Sequence, residues 1–118
     1  MTRKQFVNMI AIAETNDKVR MVGDGGLAGG KFQMHWDWRV DYWPPWAWET
    51  LALLDRYALE WFIACDRGGK PRPPATARFL ADRYNLGHQA PDPRYDLRCL
   101  TALEALGVTQ EQFDTIVE

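Results

Sequence analysis

One run of eight residues, Gly23-Asp24-Gly25-Gly26-Leu27-Ala28-Gly29-Gly30, constrains this chain more than any other stretch, because five of the eight are glycine. Glycine weakens helices and strands through its backbone entropy, and it adopts turn conformations that other residues avoid. The run therefore predicts tight turns and close backbone approach, and it divides an opening helix from everything that follows.

Before the run, Thr2 and Gln5 have the spacing of a capping box, and Phe6, Val7, Met9, Ile10 and Ala13 follow at helical intervals. The first helix is expected to reach about Glu14, where Thr15-Asn16-Asp17 forms a polar stop. After the run, Phe32 to Trp38 reads as a short strand or an irregular segment. Pro44-Pro45 then interrupts regular structure inside the cluster Tyr42, Trp43, Trp46 and Trp48. A strong helical pattern covers Trp48 to about Asp66, with Leu51, Leu54, Ala58, Trp61 and Phe62 as its apolar face and Gly68-Gly69 as its stop.

Lys70 to Pro74 is a proline-rich connector, and Pro73-Pro74 prepare a helix from Ala75 to Tyr84 or Asn85. Its stripe is Ala77, Leu80, Ala81 and Tyr84. Gly87 to Pro93 reads as a loop, Tyr95 to Leu106 as a helix stopped by Gly107, and Thr109 with Gln112 as the cap of a last short helix. The expected fold is mainly α, of an α+β kind: a helical domain with a small glycine-rich lobe, irregular or a β-hairpin. One domain over residues 1–118 fits the length, and no repeats are visible.

Bulk properties remove several functional classes. A hydrophobic fraction of 47% and a charged fraction of 25% are those of an ordinary folded domain. A net charge of -2 with scattered basic residues argues against nucleic-acid binding. No apolar run approaches the roughly 20 residues that cross a bilayer, so membrane insertion is not expected. Arg3, Lys4 and the apolar stretch to Ala13 imitate a signal peptide only faintly, since Asn8 interrupts the run and no small-residue cleavage site follows. Cys65 and Cys99 lack metal-ligand spacing and read as buried free thiols. His35 and His88 have no ligand partner at helical spacing, and no metal site is expected.

Glu14 is the first candidate for chemistry. It ends an apolar helix face, and a desolvated carboxyl keeps its proton to higher pH, as a general acid must. A negative charge is also unfavourable at a helix C-terminus. Asp24 is the second carboxylate, either facing a cleft as the partner of Glu14 or forming a turn beside glycine. Asp37 and Asp41 are weaker candidates. The tryptophans read mainly as packing, with Trp36 and Trp38 the ones best placed to stack on sugar rings.

Glu14-Thr15, Gly30-Lys31-Phe32-Gln33 and Tyr84-Asn85-Leu86-Gly87 occur in that order along the chain. With them the chain resembles the soluble lytic transglycosylases and goose-type lysozymes. Their pattern is a helix ending in Glu-Ser, a loop with Gly-Leu-Met-Gln, and a later helix ending in Ala-Tyr-Asn-Ala-Gly. The likeness spans about Phe6 to Gly87. It departs from the pattern at Lys31-Phe32, Arg83 and Leu86, where larger or charged residues stand.

The resemblance implies a lysozyme-like fold and cleavage of the β-1,4 bond between N-acetylmuramic acid and N-acetylglucosamine, with a peptidoglycan strand as partner and no cofactor. It implies that Glu14 is the acid and afterwards the base, and that Thr15 bonds near it or orients the loop. Gln33 would line the sugar groove, and Gly30 would let the glycan approach the backbone. Tyr84 would hold the Glu14 carboxyl, while Asn85 would contact substrate or brace the cleft. The place of action would be the bacterial cell wall or periplasm, or a virion of which the chain is a component. The competing expectation is a lysozyme-fold module without activity that binds glycan or is a structural part of a virion or secretion assembly.

Overall fold

Residues 1–35, 48–66, 68–86 and 91–118 are described by a computed structural model. Helix α1 (Arg3–Thr15) begins on the expected capping box: the Gln5 amide donates to Thr2 Oγ1 at 3.1 Å, and the Thr2 amide to Gln5 Oε1 at 2.9 Å. Phe6, Val7, Met9, Ile10, Ala11, Ala13 and Thr15 are all buried, so α1 is the central element. It ends at Asn16, whose left-handed backbone (φ 52°) turns the chain out of the helix.

The glycine run folds as a hairpin lobe. Strands β1 (Val22–Gly23), β2 (Ala28–Gly29) and β3 (Met34–His35) pair antiparallel in that order, and a short turn over Asp24–Gly26 joins the first two. Gly23 lies opposite Ala28, and Ala28 opposite His35. Of the two expected forms of the lobe, the β-hairpin is observed.

Helix α2 (Trp48–Ala64) starts where the pattern placed it, with Leu51 buried and Ala58 and Phe62 against the core as expected, but the buried row is shifted. Leu51, Asp55, Leu59 and Ile63 point inward at four-residue steps, whereas Leu54 and Trp61 are exposed. The reason is Asp55: a carboxylate in the buried row breaks the apolar stripe and makes the neighbouring face read as the core side. The helix also stops before Asp66, because Cys65 leaves it to pair with Pro71.

Helix α3 (Ala77–Leu86) begins two residues later than expected, since the preceding residues pair with the C-terminal segment. Ala77 donates to the Thr115 carbonyl at 3.0 Å and Val117 to the Ala75 carbonyl at 3.0 Å. Helix α4 (Pro93–Ala105) begins earlier than Tyr95, because Asp92 caps it through the Arg94 amide and Pro93 occupies the first turn. Gly107 (φ 69°) ends it as expected. The last element is a short 3-10 turn, Gln110–Asp114, and Thr109 caps nothing with its side chain.

The core gathers Phe6, Met9 and Ile10 of α1, Phe32 of the lobe, Leu59, Leu80, Tyr95, Leu103 and Phe113. Helix α1 packs chiefly on α4 and also on α2. The domain is thus mostly helical with one small antiparallel sheet. No helix among the described residues is long and apolar enough to cross a membrane. Cys65 and Cys99 are free thiols, the second fully buried. Trp36, Asp37, Trp38, Asp41, Tyr42, Trp43, Pro44, Pro45, Trp46, Gly87 and His88 lie outside the described residues.

One polar cluster joins α3 to α4. The carboxyls of Asp82 and Asp96 are buried against each other, and Arg78 bridges from Asp96 (3.2 Å) to Asp114 (2.7 Å). Burial first, and then the hydrogen bond and charge of Asp96, push Asp82 up to about 7, against the opposing pull of the Asp92 backbone and Arg78. A carboxyl raised on folding stabilises the protein below its unfolded value and loses that contribution as pH rises through its folded value. Asp82→Asn is therefore expected to raise the melting temperature at pH 8, with the gain shrinking toward pH 4. Thermal denaturation across that range checks it, and a variant no more stable than the parent at pH 8 would contradict it.

Candidate active site

Glu14 occupies the last turn of α1 and is half-buried. Tyr95, in the first turn of α4, donates its hydroxyl to Glu14 Oε1 at 2.9 Å. Arg98, one turn further along α4, donates to the Ala13 carbonyl and to the Glu14 carbonyl at 3.3 Å. The guanidinium thus closes the negative end of α1, where unpaired carbonyls favour a cation.

The Glu14 carboxyl is held above its ordinary value of 4.5. Burial is the largest cause. The Tyr95 hydrogen bond and the Arg98 charge pull the other way, and the charge of Asp24 adds to the rise. Tyr95 itself is buried, and its hydroxyl resists ionisation through that burial and the Glu14 charge beside it. It therefore acts as a fixed neutral donor to Glu14.

Thr15 ties the helix to the lobe. Its buried hydroxyl is shared between the Ala11 carbonyl at 3.1 Å and the Lys31 carbonyl at 2.8 Å, and it accepts from the Lys18 amide. Of the two roles expected of it, loop orientation is the one observed. Lys31 adds an ion pair to Asp17 at 2.5 Å, a second tie between lobe and helix end.

Tyr84, Gln33, Gly30 and Asn85 make contacts within the protein. The single hydroxyl proton of Tyr84 goes to the Phe32 carbonyl, so Tyr84 braces the lobe and Tyr95 holds Glu14 instead. The amide of Gln33 donates to the Met21 carbonyl at 3.2 Å and the Gly30 carbonyl at 3.0 Å, folding back on the lobe. A Cβ on Gly23 would come within 2.2 Å of Gln33 Oε1, so a side chain there would require the glutamine amide to move. Gly30 has φ 80°, and a Cβ there would meet Asp55 Oδ2 at 2.8 Å and Leu51 at 3.5 Å. The space in front of the Gly30 Cα is taken up by side chains of α2. Asn85 donates to Asp92 Oδ2 at 3.2 Å, which makes it a brace for the start of α4, the helix that carries Tyr95.

Asp24 takes up the turn expected beside glycine. It forms the turn after β1 with a left-handed backbone (φ 49°), yet its charge also reaches Glu14. Its Oδ2 contacts His35 Nε2 at 2.7 Å, a partner that the isolated histidine did not reveal in the sequence. The pairing of His35 with Ala28, and of Ala28 with Gly23, is the signal that brings them together. Tyr95 had no local signal, since it meets Glu14 across 81 residues.

Among the described residues no three His, Cys, Asp or Glu side chains converge as a metal site. Comparisons of the chain with family models, with characterised proteins and with solved structures find no match.

Gly30→Ala is expected to destabilise the protein by about 1–3 kcal/mol, the usual cost of a side chain in a left-handed position, with the Asp55 contact adding to it. Chemical denaturation measures this. Unchanged stability would mean that the approach of α2 is not what requires the glycine.

Proposed function

We propose that this chain cleaves the β-1,4 bond between N-acetylmuramic acid and N-acetylglucosamine in peptidoglycan, using a lysozyme-like arrangement in which Glu14 is the general acid. The observation that carries the reading is a single carboxyl, desolvated at the end of a buried helix and oriented by the neutral hydroxyl of Tyr95. A carboxyl kept protonated toward neutral pH can donate to a departing glycosidic oxygen as positive charge develops at the sugar carbon. The order of Glu14-Thr15, the Gly30-to-Gln33 loop and the Tyr84-Asn85 helix end supports the same reading, although Tyr84, Gln33 and Asn85 serve it as braces.

In this mechanism Glu14 gives its proton to the bridging oxygen as the bond to the anomeric carbon breaks. The Glu14 carboxylate, still held by Tyr95, is then available as a base for the second half of the reaction. Arg98 keeps the helix end in place throughout. Rate requires the protonated carboxyl, so turnover is expected to fall as pH rises through the elevated Glu14 value. The place of action under this reading is the bacterial cell wall or periplasm, including delivery on a phage particle.

Glu14→Gln is expected to lower the clearing of purified murein by about 100-fold or more, the usual contribution of general acid–base catalysis, with little change in melting temperature. Retained clearing would reject Glu14 as the acid. Binding of murein by the parent chain with no fragment released would favour a non-enzymatic glycan-binding or assembly module.

A further inference from the structure

The acids between α3 and α4 outnumber the cation that serves them. Arg78 donates from Nη1 to Asp96 Oδ2 at 3.2 Å, and from Nε and Nη2 to the two Asp114 oxygens at 2.7 and 3.2 Å. All three guanidinium nitrogens thus face Asp96 or Asp114, and Asp82 is left with the Asp92 backbone amide and the Asp96 carboxyl. Asp82 and Asp96 are only 6% and 7% exposed. In each, Oδ1 is buried and has no donor among the described residues. Two buried carboxylates with orphaned oxygens are unfavourable side by side. One proton between them supplies what both lack, since one carboxyl becomes a donor and the other its acceptor. Asp96 accepts from Arg78 and is the better anion, so the proton resides on Asp82, in line with its rise to about 7.

The pair sits between the two tyrosines that organise the candidate site. Asp82 lies two residues before Tyr84, which braces the lobe at the Phe32 carbonyl. Asp96 directly follows Tyr95, which donates to Glu14, and lies two residues before Arg98, which closes the end of α1. Asn85 and Asp92 add a second tie between the same helices at 3.2 Å. The other groups facing the pair are Arg78 from α3, Asp92 and Cys99 from α4, and Asp114 from the C-terminal turn; Glu14 of α1 faces it across Tyr95 and Cys99. Arg78 stays charged beside its two acids, and Asp114 is held below its ordinary value by Arg78. Burial, and then the charges of Asp96 and Glu14, keep the Cys99 thiol neutral. Those three hold their charge state while the cluster loses the shared proton.

We propose that Asp82 and Asp96 form a proton-sharing clasp between α3 and α4, and that this clasp positions Tyr95 against Glu14. With the proton bound, the first turn of α4 is drawn onto α3 and the Tyr95 hydroxyl is set on the Glu14 carboxyl. When the proton leaves to solvent, two buried carboxylates repel each other and the start of α4 loosens. A carboxyl raised on folding stabilises its contact fully below the unfolded value and loses that contribution as pH rises to the folded one. The clasp therefore weakens from the ordinary carboxylate range up to about 7. Its consequence for turnover rests on the reading of Glu14 as the acid, whereas the clasp itself does not. Asp82 and Asp96 touch no reacting atom and act only through Tyr95.

The test compares the full chain with Asp82→Asn, whose amide can donate to Asp96 at every pH, and with Asp96→Asn. Carboxyl-carbon NMR follows Asp82 and Asp96, and amide hydrogen exchange follows the first turn of α4, both well below the melting temperature. In the parent the two carbons are expected to shift together near pH 7, with a second step at lower pH. Asp96→Asn should lower the Asp82 midpoint. With the intrinsic pH dependence divided out, exchange at the start of α4 should rise by about tenfold per pH unit between pH 5 and 7 and then level off. Asp82→Asn should abolish that rise. Its murein turnover relative to the parent's is expected to grow by about tenfold from pH 5 to pH 8. Separate titration of the two carboxyls below pH 5, or a rise in exchange that Asp82→Asn keeps, would overturn the clasp. A flat turnover ratio in a chain that does digest murein would overturn its effect on the site while leaving Glu14 as the acid. A parent that releases no fragment would instead sink the reading of Glu14, and the titration and exchange would still decide the clasp.

Discussion

Ending a buried helix on a carboxyl works against the anion twice. The last carbonyls of α1 present partial negative charge, and the surrounding core withholds the water that would solvate it. Helix α4 answers both. Arg98 takes the exposed carbonyls of Ala13 and Glu14, which removes much of the local negative potential, and Tyr95 offers the carboxyl one fixed hydrogen bond. Desolvation still prevails, and the proton is retained above the usual range. The packing of α1 on α4 is thus the contact on which both the core and the candidate chemistry depend.

The lobe adds precision to this arrangement. Two-residue strands are too short to be stable alone, and the ties that hold them are side chains attached to neighbouring elements: Thr15 at the end of α1 and Asp17 just after it, Tyr84 on α3, and the close passage of Gly30 beside Asp55 on α2. Each tie meets the lobe at a backbone carbonyl, a backbone turn or the Lys31 ammonium. The hairpin is consequently anchored on three helices, and the Asp24–His35 pair is carried with it.

How much of this was legible in the sequence follows from the range of each interaction. The capping box of α1, the starts of α1 and α2, the stop at Gly107 and the turn-rich lobe all rest on neighbours a few residues apart, and they read correctly. Glu14 stood out because a carboxyl ended an apolar face. Leu54 and Trp61 were misread as inward because Asp55, a buried acid, lies where a pattern of apolar residues should continue. The start of α4 was written locally in Asp92-Pro93, but a proline after a loop read as part of the loop. Tyr95, His35 and the reason for Gly30 were invisible for a different cause, since each depends on a segment brought near only by the fold.

The claim beneath all of this is that the protein surroundings of Glu14 keep its proton on. Carboxyl-carbon NMR titration of the free chain, with Glu14 assigned by its loss in Glu14→Gln and Tyr95→Phe as comparator, tests that claim most directly. The account predicts a midpoint above 4.5 in the parent and a higher one still once the Tyr95 hydroxyl is removed. A midpoint at or below 4.5, or one that Tyr95→Phe leaves in place, would contradict it.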